Sequence, residues 1–377
     1  MIEIELTEHV DFDRLRGIWT DLAGRADASF FQSWSWVGCL APERFTHPIL
    51  LAARDDGVTV ALGLFNRRRR AFRRPDLLLN ESGVAQYDAV FVEHNGFLVE
   101  RGRPDTLVAD CLARVMTSKL GEKWRRSPRR VALSGIPERY IAAAGEGPYR
   151  ASIRVTRPAP FVDLAALRLA GRPYLSRLSA NTRYQLRRSQ RRYEADGPLT
   201  ICRARSVAEA GEFLDRLAEL HQRYWTGRGR PGAFANAKFG RFHRALIERA
   251  FPEGEIDLLR ICGGGRVVGY LYNFLYRRVV YAYQSGFDYA VSDSHQKPGL
   301  TCHHLAIERY LAAGADRYDF LAGADRYKQS LASGATLLHW IEINRPVAAF
   351  SMIGRQWLRR LCPVGAAPGP SAGLPQP

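Results

Sequence analysis

One stretch limits what this chain can become more than any other. IDLLRICGGGRVVGYLYNFLYRRVVYAYQSGF, residues 256–287, reads as three strands in a meander. LTCHHLAIERYLAAG (300–314) follows as a helix stopped by Gly314, and DRYDFLAG (316–323) then reads as a buried strand. A meander, a helix and a further strand belong to a mixed α/β layer, in which helices cover the faces of a sheet.

The first half follows the same order. DFDRLRGIWTDLA (11–23) has helical spacing with Asp11 as N-cap, and PILLAARDDGVTVALGLF (48–65) is a hairpin about Asp55-Asp56-Gly57. YDAVFVEHNGFLV (87–99) reads as a strand, DTLVADCLARVMTSKL (105–120) as a helix and RRVALSGI (129–136) as a strand. LLAARDDGVTVAL (50–62) also lies over LLRICGGGRVVGY (258–270) without a gap, which favours two related units joined near RVTRPAPFVDL (154–164). The expected division is 1–158 and 159–345, with a basic amphipathic helix at 346–361 and a Pro/Gly/Ala-rich, disordered tail at 362–377. Early in the second unit, 172–197 reads as one basic helix and 206–225 as an amphipathic helix capped by Ser206.

A chain of 377 residues suits two domains. No apolar run approaches the roughly 20 residues that span a bilayer, and MIEIELTEHVDFDRL carries no signal-peptide core. The six cysteines show neither disulfide nor metal spacing, so reduced thiols, a cytoplasmic location and no metal site are expected. A net charge of +17 draws anions such as phosphate-bearing carriers, nucleotide-linked sugars, acidic polysaccharide or nucleic acid. Of 55 basic residues only five are lysine, which singles out Lys297 and Lys328, each in a stretch that also carries other candidate site residues.

Those stretches can be read residue by residue. Gln296, Lys297, Pro298 and Gly299 lead into the helix with Leu300 and Thr301; Pro suits its first turn, Gly admits a close anion, and the helix dipole adds positive potential. Tyr327 and Lys328 follow Asp319 closely: a compact ammonium can meet a phosphate or oxyanion, Tyr can donate a proton, and Asp can position an amine or deprotonate it. Arg183, Arg187 and Arg191 share one helix face, and His221, Arg223 and Trp225 flank the Gly/Pro loop TGRGRPGAF, the kind of loop that covers substrates. Glu81 and Asp88, with Glu93 and His94, surround a short apolar stretch and are placed to hold amine or sugar hydroxyls. His303 and His304 are neighbours on one helix, so at most one can face a site.

Taken together, SANTRYQLRRSQRRYE (179–194), LHQRYWTGRGRPGAF (220–234), the QKPGL helix entry and YDFLAGADRYK (318–328) resemble the CelD/BcsL-type branch of the GNAT acyltransferases. That branch is associated with cellulose and exopolysaccharide biosynthesis and is distantly similar to the Fem aminoacyl transferases. LNESG and VEHNG match its first half more weakly. The resemblance implies an α/β (α+β) protein with a tandem GNAT-like (acyl-CoA N-acyltransferase) fold of two related mixed-sheet units. It implies acetyl-CoA or another acyl-CoA as donor, bound by residues 296–301. The acceptor would be an amine or hydroxyl of an anionic sugar, polysaccharide or cell-envelope precursor, held between the units by residues that include Tyr283 and Gln284. Asp319, Tyr327 and Lys328 would carry the chemistry. One departure stands out: the usual Q/R-x-x-G-x-G/A diphosphate loop is here QKPGLT, with one glycine. Aminoacyl-tRNA therefore stays open as donor, as does a non-catalytic role in binding anionic polymer; no other nucleic acid is expected, and a contact of 346–361 with a membrane surface is the lesser alternative to docking.

Overall fold

In a computed structural model that describes residues 1–68, 74–120, 127–145, 147–290 and 294–345, the chain folds on one mixed sheet of 13 strands. The first half runs β1 (Ile2–Thr7), α1 (Phe12–Arg25), α2 (Trp34–Arg44), β2 (Pro48–Asp55), β3 (Val58–Arg68), β4 (Asp76–Leu79), β5 (Leu98–Val99), α3 (Thr106–Thr117), β6 (Arg130–Ile136), α4 (Arg139–Gly145) and β7 (Arg150–Asp163). The second runs α5 (Leu164–Leu169), α6 (Ala180–Glu194), β8 (Leu199–Arg203), α7 (Val207–Thr226), α8 (Ala237–Ala250), β9 (Ile256–Gly263), β10 (Arg266–Tyr276), β11 (Val279–Phe287), α9 (Pro298–Ala312), β12 (Arg317–Asp319), α10 (Arg326–Leu331) and β13 (Gly334–Asn344). The helix expected at 346–361 and the tail expected at 362–377 lie outside the described residues.

Strand order is β1-β2-β3-β4-β6-β13-β7-β12-β11-β10-β9-β8, with β5 beside β3. Read inward from each edge, the halves match: four antiparallel strands, then a parallel one, β6 beside β4 and β12 beside β11. A parallel neighbour needs a crossover, which α3 and α9 supply. The last strand of each half crosses over: β7 pairs with β12, β13 pairs with β6, and the two pair with one another along all of β13. Residues 158 and 159 both lie inside β7, so the sheet is continuous through that point.

Local chemistry explains most element ends. The Asp11 carboxylate accepts from the amides of Asp13 and Arg14 and starts α1, and Ser206 caps α7 through the Glu209 amide. Asp56 and Gly57, at φ 46° and 80°, supply the left-handed pair that a tight hairpin between β2 and β3 requires. Three expectations change. The basic stretch 172–197 is not one helix: a 3-10 turn spans Tyr174–Arg177, and the Ser179 hydroxyl, accepting from the Thr182 amide, starts α6 afresh at Ala180. Residues 87–99 form a loop with only Leu98–Val99 paired, because His94 (φ 47°) and Gly96 (φ 152°) turn the chain before a strand can extend. The strand expected at 316–323 lasts from Arg317 to Asp319, since Leu321 turns at φ 62°.

Side chains alternate across the sheet: Ala52 faces one core, Leu51 and Ala53 another. On the first face the two halves share one core beneath α1, α2, α7 and α8, where Phe30 stacks on Phe274 at 4.3 Å and Trp36 meets Phe242 edge-on at 5.0 Å. Each such pair adds about 1 kcal/mol beyond the area it buries. On the reverse face α3 and α4 cover the first half, and α5, α6 and α9 the second. Among the described residues no helix is long and apolar enough to cross a membrane.

Candidate active site

Strand β11 is the frame of the site. It pairs with β12 only from Val279 to Tyr281, so from Ala282 to Phe287 that edge lies open. Register against β10 steps from Ala282 opposite Asn273 to Gln284 opposite Tyr272, leaving Tyr283 as an extra residue. Such a bulge bends a strand and re-aims its groups, often beside an active site. On the open side lies a cleft of about 680 Å³, walled by Gln284–Phe287, by His221, Tyr224 and Trp225 of α7, by Asn181 and Gln185 of α6, by residues 296–300 and by Tyr327. Gly286 sets the width: a Cβ there would stand 2.4 Å from the Leu217 carbonyl oxygen, so α7 and β11 meet backbone to backbone. Gly286→Ala is expected to cost about 1–3 kcal/mol by overpacking, seen as a lower urea midpoint at unchanged slope; an unshifted midpoint would show that α7 yields freely.

The tip of α9 closes one end. The Ser189 hydroxyl of α6 accepts from the Lys297 amide at 2.8 Å and lies 2.8 Å from the Thr301 hydroxyl. Pro298 has no amide hydrogen and the Thr301 amide already bonds to the Lys297 carbonyl, which leaves Gly299 and Leu300, among the described residues, as the open donors of the first turn. Two amides at the positive end of a 15-residue helix make a seat for an anion. Gln296, Lys297, Pro298, Gly299 and Leu300 all line the cleft. Thr301 does not: it is fully buried and ties α9 to α6, a correction to its expected donor contact.

Beneath the cleft is a second cavity of about 40 Å³, lined by Glu93, Gln284, His303, Tyr327 and Lys328 among others. Lys328, 3 % exposed, donates to the Ala322 carbonyl at 3.1 Å and stands 3.7 Å from the Asp325 carboxylate. Burial lowers its ammonium below the usual lysine value, and Glu93, Asp325 and Asp319 pull it back up. A slim ammonium fits this small space where a forked guanidinium would not. Glu93, from the first half, accepts from the Ala322 amide at 2.6 Å; burial pushes its carboxyl up, against that bond and the charge of Lys328. Of the two adjacent histidines, His303 faces this cavity, its Nδ1 2.8 Å from the Tyr318 hydroxyl and its ring stacked on Tyr327. His304 turns the other way, towards Gln190 and Tyr174.

Asp319 lines neither cavity. Its Oδ1 accepts from the Leu321 amide at 2.8 Å, and its Oδ2 lies 3.0 Å from Arg317 and 3.3 Å from His94 Nε2. Burial alone would raise this carboxyl; His94, Arg317 and the Leu321 amide outweigh burial and hold it below the usual range. A carboxylate so engaged positions its neighbours, and its expected contact with an acceptor is not in the geometry.

Across Gln284 from the cleft runs a groove of about 660 Å³ between the halves, lined by Gln86 and Phe91 of the first and by Trp225, Asn236, Lys238 and Arg241 of the second. His221 pins its loop: Nε2 accepts from the Ala233 amide at 3.3 Å, so Nδ1 carries the proton towards the Ser285 carbonyl, 3.2 Å away. Burial pulls this imidazole down to about 4, and it stays neutral. Asn236 donates to the Gln86 carbonyl at 2.6 Å, so the loop read as a mobile cover is tied to both halves.

The other expected contacts lie elsewhere. Arg183 turns back to the Leu178 carbonyl and, like Arg187, lies off the cleft, because Asn181 and Gln185 occupy the turn of α6 that faces it. Arg223 lines neither the cleft nor the groove; it is exposed, 3.9 Å from Asp288. Tyr283 is buried with its ring at 4.6 Å from Phe274 and, of the cleft, the groove and the small cavity, lines the last alone. Glu81 and Asp88 serve their own loop: Glu81 accepts from the Ser134 hydroxyl at 2.7 Å, and Asp88 from the amides of Ser82 and Gly83 at 2.8 Å. The sequence offered Glu93 only as one strand-end carboxylate among several; nothing local to it announces Lys328. Among the described residues no group of three or more His, Cys, Asp or Glu could hold a metal ion.

Residues 180–329 match a family described as Acetyltransferase (GNAT) domain. No curated protein matches the chain. Among solved structures, FemX superposes with a TM-score of 0.60 at 10% identity, over 95% of this chain and 99% of that one. L-PGS from Bacillus licheniformis does so with a TM-score of 0.54 at 12% identity, over 94% and 98%. The chain thus has the tandem GNAT-like fold, and its residues 180–329, which hold the open strand edge, the α9 tip and the Tyr327-Lys328 pair, are the part similar to the GNAT acetyltransferase domain family.

Proposed function

We propose that the protein is an acyltransferase of the CelD/BcsL type. It would move an acyl group, acetyl in the first instance, from acyl-CoA to an amine or hydroxyl of an anionic sugar, polysaccharide or cell-envelope precursor. The observation that carries this reading is the meeting of cleft and groove at Gln284, which lines both. The donor diphosphate takes the Gly299 and Leu300 amides, with Lys297 at the rim, and the thioester lies along the open edge of β11, whose bulge presents backbone amides to a developing oxyanion. An acceptor in the groove, drawn by Lys238 and Arg241, reaches the thioester past Gln284 and Trp225. Tyr327, shared by cleft and small cavity, donates to the leaving thiolate. Transfer is direct: Cys302 is fully buried and burial pushes its thiol well above the usual value, the reverse of what a nucleophile needs.

A second reading keeps a Fem-like aminoacyl-tRNA as donor, favoured by Arg187, Arg191 and Arg192 exposed on α6. Calorimetry separates the two. Acetyl-CoA is expected to bind with a Kd of roughly 1 μM to 1 mM, the usual span for enzyme substrates. No binding at millimolar acetyl-CoA, alongside salt-sensitive binding of charged tRNA or of an anionic polymer, would reject the acyl-CoA reading.

A further inference from the structure

We infer that Glu93, supplied by the half of the chain opposite the donor cleft, accepts the proton of the attacking amine or hydroxyl through water held in the small cavity beside Lys328. The assignment rests on the acyl-transfer reading above. The cavity lies where the two larger spaces converge: Gln284 lines all three, Tyr327 is shared with the cleft and Phe91 with the groove. Its volume of about 40 Å³ exceeds the ~10–15 Å³ that one water needs. Two of its lining atoms, Gln284 Oε1 and His303 Nε2, are buried without a hydrogen-bond partner among the described residues, an arrangement that water completes. With Glu93 and Lys328 they give such a water the two to four polar contacts it requires.

Glu93 is the carboxylate with capacity to spare. Its Oε2 is fixed by the Ala322 amide, which sets the orientation, while Oε1 takes part in no hydrogen bond among the described residues. Asp319 has both oxygens engaged and lies off the cavity. Burial also makes Glu93 hold a proton more readily than an exposed glutamate. Lys328 of α10 and His94 of its own loop act against this rise and Asp319 of β12 adds to it, while Tyr327 of α10, Tyr283 of β11, Arg157 of β7 and His303 of α9 are the other titratable or charged groups around the cavity.

The step balances with these groups alone. The acceptor's N–H or O–H bond breaks as its N or O bonds to the thioester carbonyl carbon, and the proton passes through water to Glu93. The C–S bond then breaks, the thiolate leaves and takes a proton from Tyr327, which regains one from solvent, and Glu93 returns its own to bulk water.

The test reads thiol release from acetyl-CoA by the full chain, with a mixture of amino sugars and amino-sugar phosphates as acceptor probe and water as default nucleophile, from pH 5 to 9. Glu93→Gln keeps the size and an oxygen for the Ala322 amide and removes proton uptake, together with the negative charge beside Lys328. It is expected to lose about 10²–10³-fold in rate, as for a general base, with acetyl-CoA affinity within twofold, and to lose the acidic limb of the wild-type pH profile. Glu93→Asp is expected to keep that limb at a reduced rate, and it stands in should Glu93→Gln not fold. A Glu93→Gln enzyme that retains the acidic limb and at least a tenth of the rate would overturn the assignment alone. Failure of the wild-type chain to bind acetyl-CoA would remove the functional reading and this assignment together.

Discussion

Replacing Asp319 by alanine is expected to lower the free energy of unfolding by about 3–5 kcal/mol, the cost of stripping one partner from a buried ion pair. The carboxylate is 0 % exposed and joins three segments: Arg317 on its own strand, the Leu321 amide after it, and His94 from the first half. Arg317 also lies over the Phe161 ring at 3.6 Å and reaches the Thr336 hydroxyl at 3.3 Å, so the network bridges β12, β7 and β13 where the halves exchange strands. Alanine leaves the Leu321 amide unpaired while Leu321 holds φ 62°, a conformation costing about 1–2 kcal/mol in any non-glycine residue. Partial exposure of Arg317 and His94 lets water recover some of the loss, which favours the lower end of the range. The sign with pH follows from the folded carboxyl lying below its usual range. Its contribution is present above the unfolded value of about 3.9 and is lost as pH falls through the folded value, so wild type and variant should converge in acid. Urea titrations at pH 7 and pH 3 check this. A gap under about 1 kcal/mol at pH 7 would show that the network does not hold the seam.

What the sequence made legible was local. The hairpin at Asp56-Gly57, the caps at Asp11 and Ser206, and the Pro-Gly entry to α9 each depend on neighbours within four residues, and each stands where it was expected. The 50–62 and 258–270 echo likewise corresponds to matching hairpins, β2–β3 and β9–β10. The failures are cases in which tertiary contacts override a local pattern. VFVEHNGFLV has strand composition, yet it is spent as a loop: the Glu93 carboxylate accepts from the Ala322 amide, the His94 carbonyl from the Ser29 hydroxyl, and the Asn95 side chain donates to the Leu79 carbonyl and accepts from the Gly96 amide, in place of bonds to a neighbouring strand. The spacing of Arg183, Arg187 and Arg191 showed that they share a face of α6, but periodicity cannot say which face meets the cleft; Asn181 and Gln185 hold it. The swap of β7 and β13 has no signature in either strand, since both partners come from the far side of the chain. Lys328 was conspicuous as a rare lysine, while its burial against Glu93 depends on that swap and on the loop from the first half.

That loop carries its own pH dependence. Burial first, and then the charge of Asp88, push the Glu81 carboxyl up from 4.5 to about 7, against the Ser134 hydroxyl and the more distant Arg130. Burial raises Asp88 as well. A raised folded value means that the native state binds the proton more tightly than the unfolded chain. The stability this brings is complete below about pH 4.5 and is lost as pH rises to about 7. At about 1.4 kcal/mol per pH unit, the rise from 4.5 to about 7 amounts to roughly 3 kcal/mol at most, because Glu81 keeps some contact with water. Glu81→Gln retains a group that can bond to Ser134 and has no proton to lose. It should therefore match wild type near pH 4 and exceed it at pH 8 by up to that amount, with the gap opening between about pH 4.5 and pH 7. Unfolding free energies measured at unit pH steps give the curve directly. A gap that stays constant from pH 5 to pH 8 would mean that Glu81 is already ionised at pH 5. Asp88 and its bonds to Ser82 and Gly83 would then fix the segment that carries Phe91 and Glu93 into the site without a shared proton.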